Sequence, residues 1–244
     1  MSNNQELIQR LNDTLQNLPP KVRKASGRFL YSNGATMKKG CYYLIGKFPS
    51  GTPKCYPSLD IERTNWEKRT ENAYLDEAWE KKGGHYPKGK SPYQIGAQNL
   101  CRIFNNIDVR EICASNWIMT RSPMKLEQKD LRDMKYLAEI FAPVHEIIME
   151  IVQPKIVFAI GIETFKIALK YLEFVCPKPI GEEGNWRVYI AKRECNGVTV
   201  QKLIGFPDFS RCDWYDLHQP KRKKTISRLA RECSKLFCQS TLKG

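Results

Sequence analysis

Apolar residues recur along this chain at two periods, and the period changes from one segment to the next. Between Asn4 and Leu18, the residues Leu7, Leu11 and Leu15 fall on one helical face, and Pro19-Pro20 ends the helix. Cys41–Ile45 is a short continuous apolar run stopped by Gly46, which predicts a strand covered on both faces. Helices are expected over Asn65–Lys82 and Tyr93–Asn106, separated by a Gly/Pro/Lys-rich loop at Gly83–Pro92. Arg110–Ile118 reads as a strand. Gln128–Ile151 carries the longest helical stripe, and Pro143 is expected to restart it as a second helix. Lys155–Ile160 is a β-branched run closed by Gly161 and followed by a helix over Glu163–Tyr171. Strands at Trp186–Ala191 and Thr199–Phe206 and a helix at Thr225–Phe237 complete the chain. Strands alternating with helices predict a three-layer α/β/α sandwich around a mostly parallel central sheet. No repeat or interior linker divides residues 1–244, so one domain is expected, with an N-terminal helix at about 4–18 and a basic C-terminal helix at about 221–238. Ligands of such folds sit at the carboxyl ends of strands, here the loops after Ile45, Ile118, Ile160 and Phe206.

Charge adds a partner to this picture. Among 244 residues, 40 Lys and Arg face 26 Asp and Glu, leaving a net charge of +14. Such an excess points to a polyanion, most often nucleic acid. The basic residues are unevenly placed: Thr14–Leu59 contains no acid, and Lys221, Arg222, Lys223 and Lys224 open the last helix. No segment approaches the ~20 apolar residues of a membrane span, and the first eighteen residues are too polar for a signal peptide. The nine cysteines are then read as reduced thiols of a cytoplasmic protein. With no CxxC and no metal spacing among His85, His145 and His218, neither a metal nor another cofactor is expected.

Three strand-end segments carry candidate chemistry. Gly46-Lys47-Phe48-Pro49-Ser50-Gly51 leaves the first strand as a Gly/Pro loop, yet it is neither a P-loop nor a dinucleotide fingerprint. Asn116 follows the Arg110–Ile118 strand core, with Arg121 shortly after; its amide both donates and accepts, as a nucleobase edge requires. Asp208, Ser210 and Arg211 emerge after the last strand, with Trp214 and Tyr215 beyond them.

In their order, the segments Gly46–Pro49, Asn116 and Asp208-Phe209-Ser210 resemble the uracil-DNA glycosylase superfamily over roughly Cys41 to Trp214. That family has a Gly-x-x-Pro loop, a strand-end Asn and a His-Pro-Ser loop. Lys47 and Phe48 stand where the family usually has a water-activating acid, and Asp208-Phe209 replaces His-Pro. The resemblance implies a DNA glycosylase, acting as a monomer, that flips a base out of the stack and hydrolyses its N-glycosidic bond. On that reading Asp208 activates water and Asn116 reads the base. Gly46, Lys47, Phe48, Pro49, Ser50, Arg121 and Ser210 line the substrate. Trp214 or Tyr215 fills the vacated stack, while Arg211 and Lys221–Lys224 hold the DNA. A Lys47 Schiff base is the rival mechanism. The replaced positions suggest a modified pyrimidine, since bacterial phage-defence members of the superfamily remove glucosylated hydroxymethylcytosine. Asp76, Glu77, Trp79, His85 and Tyr86 of the insert Tyr56–Pro92 are then expected to contact sugar hydroxyls. A repair enzyme for uracil or another deaminated base, or an inactive nucleic-acid-binding member, are the alternatives.

Overall fold

The computed structural model describes residues 3–49, 57–104, 107–121, 133–183, 186–195, 198–210 and 218–238. In chain order the elements are α1 (Asn3–Gln16), α2 (Pro20–Lys24), β1 (Tyr42–Gly46), α3 (Leu59–Asn65), β2 (Glu80–Lys81), β3 (Gly84–His85), α4 (Pro92–Ile103) and β4 (Cys113–Asn116). They continue with α5 (Met134–Val152), β5 (Ile156–Ile160), α6 (Ile162–Tyr171), β6 (Val175–Glu183), β7 (Trp186–Cys195), β8 (Val198–Phe206) and α7 (Pro220–Cys238). Six strands form one sheet in the order β4-β1-β5-β8-β7-β6, and β2 and β3 form a separate hairpin. The first four strands of that order are parallel, and β7 runs antiparallel to both β8 and β6. This is the expected mostly parallel α/β/α sandwich.

Strand alternation sends side chains into two cores. Tyr43, Ile45, Val157, Ala159 and Leu203 pack with α1, α5 and residues of α6. Tyr42, Leu44, Phe158, Ile160, Ile204 and Phe206 pack with α4 and α7. Both sheet faces are dry, which explains the continuous apolar runs. β1 connects to β4 across the α4 face, whereas β5 connects to β8 across the α6 face. The crossovers therefore diverge between β1 and β5, where open α/β sheets leave a crevice at the carboxyl ends.

Two sequence expectations are corrected, and one strand is added. Asn65–Lys82 is not a helix: α3 stops at Asn65, a 3₁₀ turn spans Trp66–Lys68, and the chain then runs irregularly to β2. Asn72 makes that irregular path self-sufficient. Its Nδ2 donates to the Val109 carbonyl, its Oδ1 accepts from the Tyr74 amide, and its own amide donates to Asp76. Pro143 does not split α5, which is continuous through it and forfeits only the bond to the carbonyl four residues back. Residues 128–132 of the expected helix lie outside the described residues. The edge strand β6 is a third departure, since Pro177, Pro179 and Gly181 conceal it. Proline is tolerated there because one side of an edge strand needs no donors.

Candidate functional site

The site is built at the carboxyl edge of the parallel sheet. Gly46 ends β1 directly beside Asn116, the last residue of β4. Alternation turns both toward the α4 face, because Leu44 and Ala114 belong to that core. A methyl group on Gly46 would press into Asn116 Oδ1 and stand 2.8 Å from Tyr93 Oη. Glycine is thus required for the Asn116 amide and the Tyr93 phenol to converge on one backbone atom. Asn116 is only 4% exposed, yet its side chain makes no hydrogen bond to any described residue. A buried amide without a partner is costly unless a ligand or water completes it.

Tyr93 sits in the first turn of α4, and its position is tightly fixed. Ser91 and Gln94 close a reciprocal capping box there. Gln94 Nε2 also donates to the carbonyls of Ala73 and Glu77. The Tyr93 ring stacks on Tyr74 at 6.4 Å and meets Trp79 at 5.8 Å and Phe209 at 5.7 Å. Burial, and then the neighbouring Tyr74 hydroxyl and Asp208 carboxylate, hold the Tyr93 phenol well above its ordinary range. Phe209 packs against Gly96 of α4, which anchors the loop carrying Asp208. Asp208 Oδ1 accepts from the amide of Ser210 at 2.9 Å and from its hydroxyl at 2.7 Å. Ser210 is therefore drawn to Asp208, and the carboxylate is held at the edge by a local turn.

Lys47 and Glu163 bridge the crevice between β1 and β5 as an ion pair. The Lys47 ammonium also lies 5.1 Å from the Phe48 ring centre, and Phe48 is half-buried against the α5-side core. A Schiff base needs a free amine, so this pairing weighs against the Lys47 mechanism. Pro49 is buried. Arg121 is enclosed at 1% exposure, with its backbone amide donating to the Ser26 carbonyl.

Beneath Asn116 lies a buried polar chain. His145 of α5 bonds the Trp117 carbonyl through Nε2 at 2.9 Å and Tyr43 Oη through Nδ1 at 2.7 Å. The carbonyl only accepts, so Nε2 carries the proton, Nδ1 accepts from Tyr43, and Ser115 Oγ donates to Tyr43 at 2.5 Å. Burial pulls the His145 imidazole down to about 4, so it is neutral.

The insert is put to structural use. Arg28 and Arg69 both donate to Glu77 at 2.5 Å. Burial pushes the Glu77 carboxyl up most, but the two guanidiniums outweigh it and leave it below its usual range. Asp76 pairs with Arg110, and His85 is exposed on the small hairpin. Of the expected sugar contacts, Trp79 alone touches the site, through Tyr93. Its Nε1 and Tyr74 Oη are buried without a hydrogen-bond partner.

Basic groups reach the same edge. Lys202, midway along β8, donates to the Glu232 carbonyl in the second half of α7, whereas Thr225 near the start of α7 lies against Gly181 toward the end of β6, so α7 runs antiparallel to β8. The first turn of α7 therefore lies at the carboxyl edge, with Lys221, Lys223 and Lys224 exposed. Arg222 lies 5.9 Å from the ring centre of Trp186, which opens β7 there. At the other end of the sheet Ser26, just past α2, bonds Arg121 beyond β4 and brings the exposed Lys21 and Lys24 to that side. Lys38 and Lys39 lie at the opposite, amino edge, ahead of β1.

Ser50, Arg211, Trp214 and Tyr215 lie outside the described residues. Tyr93 and Glu163 are the site residues that sequence reasoning missed. A polar residue just after the Gly161 strand end was the available signal for Glu163, and none marked Tyr93. No cluster of metal-ligating side chains occurs among the described residues, nor does a helix long and apolar enough to cross a membrane. A cleft of about 320 Å³ opens between α3 and the turn after it, lined by Glu62, Trp66 and Arg69. No protein-family model matches the chain, and no curated protein matches it either.

Proposed function

We propose that this protein is a monofunctional DNA glycosylase that takes a modified pyrimidine out of the stack and hydrolyses its N-glycosidic bond. One observation carries the reading: the buried Asn116 amide, unbonded to any described residue, faces Gly46 at the carboxyl edge where Asp208 and the first turn of α7 also arrive. An amide held in that way suits the donor and acceptor edge of an extrahelical pyrimidine. Lys221, Lys223 and Lys224 supply the phosphate contacts that position a duplex without reading it. Asp208 stands where a carboxylate favours positive charge growing on the sugar and accepts a proton from the attacking water. Lys47, held by Glu163, takes no part in bond making. The rings of Tyr93 and Trp79 beside Asn116 offer apolar and polar surface to a base and its substituent, which suits a modified pyrimidine such as glucosylated hydroxymethylcytosine in phage DNA.

The test is single-turnover excision on duplexes carrying uracil, hypoxanthine, 5-hydroxymethylcytosine or its glucosylated forms, with alkali to reveal abasic sites. Excision of the glucosylated base is expected. Asp208→Asn should slow it by about 10²–10⁴-fold, as loss of a general base does. Asn116→Ala should slow it roughly tenfold or more, the worth of one good hydrogen bond. Both variants should still bind DNA. Excision of uracil alone would return the protein to repair. DNA binding with no excision of any base would leave a binding module.

A further inference from the structure

Hydrolysis of a glycosidic bond in this site needs a donor besides the Asn116 amide, which is engaged in reading the base, and neither Asp208 nor Lys47 provides one. When the C1′–N bond breaks, its electron pair leaves with the base, and negative charge builds on the base's heteroatoms. A donor fixed at that place before the bond breaks accelerates the step. Asp208 as a carboxylate only accepts. The Lys47 ammonium is taken by Glu163. His145 lies under the sheet edge with both ring nitrogens bonded.

Resting on the glycosylase reading, we propose that the Tyr93 hydroxyl is the hydrogen-bond donor that meets the departing base. Tyr93 Oη lies against Gly46, on the same Cα that Asn116 Oδ1 approaches. A base held by Asn116 is therefore within reach of the phenol. Tyr93 Oη makes no hydrogen bond to any described residue, unlike Tyr43, whose hydroxyl is committed to Ser115 and His145. Contacts with Tyr74, Trp79 and Phe209 hold the ring in place. The capping box and the two Gln94 bonds hold the helix end beneath it. The donor is thus preorganised and needs no rearrangement as charge develops. Burial keeps the phenol protonated through neutral pH, so it has a hydrogen to share.

The step balances without a further reactant. Water oxygen bonds to C1′, the C1′–N pair departs with the base, and Asp208 accepts one water proton. That proton reaches the base through solvent, and the carboxylate is regenerated. Tyr93 stabilises the anion by a hydrogen bond and keeps its own proton.

The experiment compares wild type with Tyr93→Phe, which keeps the ring contacts and removes Oη alone. Single-turnover excision is measured on duplexes whose target pyrimidines carry 5-substituents of graded electron withdrawal. Affinity is measured on the 2′-fluoro counterparts, which bind and resist cleavage. The rate on the poorest leaving base is expected to fall by about 10²-fold. The deficit should shrink as the leaving base becomes more acidic, with affinity for the 2′-fluoro duplex unchanged. Replacing Tyr93 by 3-fluorotyrosine, a stronger donor of nearly the same shape, should retain the rate or raise it. This second variant also carries the test should the phenylalanine variant fold poorly. An active wild type with an unchanged Tyr93→Phe rate, or a deficit equal on every base, would overturn the role of Tyr93 alone. A wild type silent on every base would overturn the glycosylase reading and this role with it.

Discussion

Gly46 is the residue on which the site depends most directly. It ends β1 with its missing side chain facing α4, and two polar groups use the space. Gly46→Ala would have to displace Asn116, which is buried, or Tyr93, which is packed among rings. Overpacking of this kind costs about 1–3 kcal/mol. The variant should lose that much in a urea unfolding curve and still fold, while its excision rate falls by more than tenfold. A Gly46→Ala protein with the wild-type rate would show that Asn116 need not stay where β1 holds it. Gly46, Asn116 and Asp208 were legible in the sequence because each is a polar or glycine punctuation at the end of an apolar strand. Tyr93 was not, since it belongs to an amphipathic helix and reaches the site only when α4 docks on the sheet. Glu77 misled for the opposite reason. Its charge is plain in the sequence, whereas its partners Arg28 and Arg69 are brought to it by folding.

The elements that periodicity recovered are those whose apolar faces meet the sheet, and those it missed owe their shape to something else. β5 and the buried stripe of α5 were legible because burial alone dictates their pattern. The path through Asn72 follows from side-chain bonds to backbone, which hydrophobic spacing cannot show. α7 raises a different question at this scale. Its first turn holds Lys221, Arg222, Lys223 and Lys224 and no acid, against the preference of a helix N-terminus for negative charge. Each such cation costs about 0.3–1 kcal/mol at an exposed site. Phosphates lying at this turn would relieve that cost. Changing Lys221, Lys223 and Lys224 together to Gln should therefore move two properties in opposite directions. Thermal stability should hold or rise slightly. DNA affinity should fall alike for every sequence, and the slope of log K against log salt should flatten by up to about 3, near 0.9 for each phosphate that is no longer neutralised. An unchanged slope in a salt titration would mean that this turn makes no phosphate contacts.

The whole molecule is fastened under its site by one neutral histidine. His145 joins α5 to β1 through Tyr43 and to the segment after β4 through the Trp117 carbonyl, with the Trp117 ring stacked on it at 4.3 Å. Two strands and a helix from opposite parts of the chain thus meet at one buried imidazole, and Asn116 lies between Ser115, which bonds Tyr43, and Trp117, whose carbonyl bonds the imidazole. In the unfolded chain a histidine titrates near ~6.5, whereas burial pulls His145 down to about 4. Between those values the unfolded state binds a proton that the folded state refuses. Folding free energy from this group is therefore intact above pH ~6.5 and is lost progressively as the pH falls toward 4, by about 3 kcal/mol in all. Carboxylates add their own acid dependence, so the difference between wild type and His145→Gln isolates the imidazole. The variant should be the less stable protein at pH 7, because it breaks the Tyr43 and Trp117 contacts. Its disadvantage should narrow steadily in urea unfolding curves taken from pH 6.5 down to 4. A disadvantage constant across that range would mean that His145 is protonated in the folded protein and that the chain from Ser115 to Trp117 runs in the other direction.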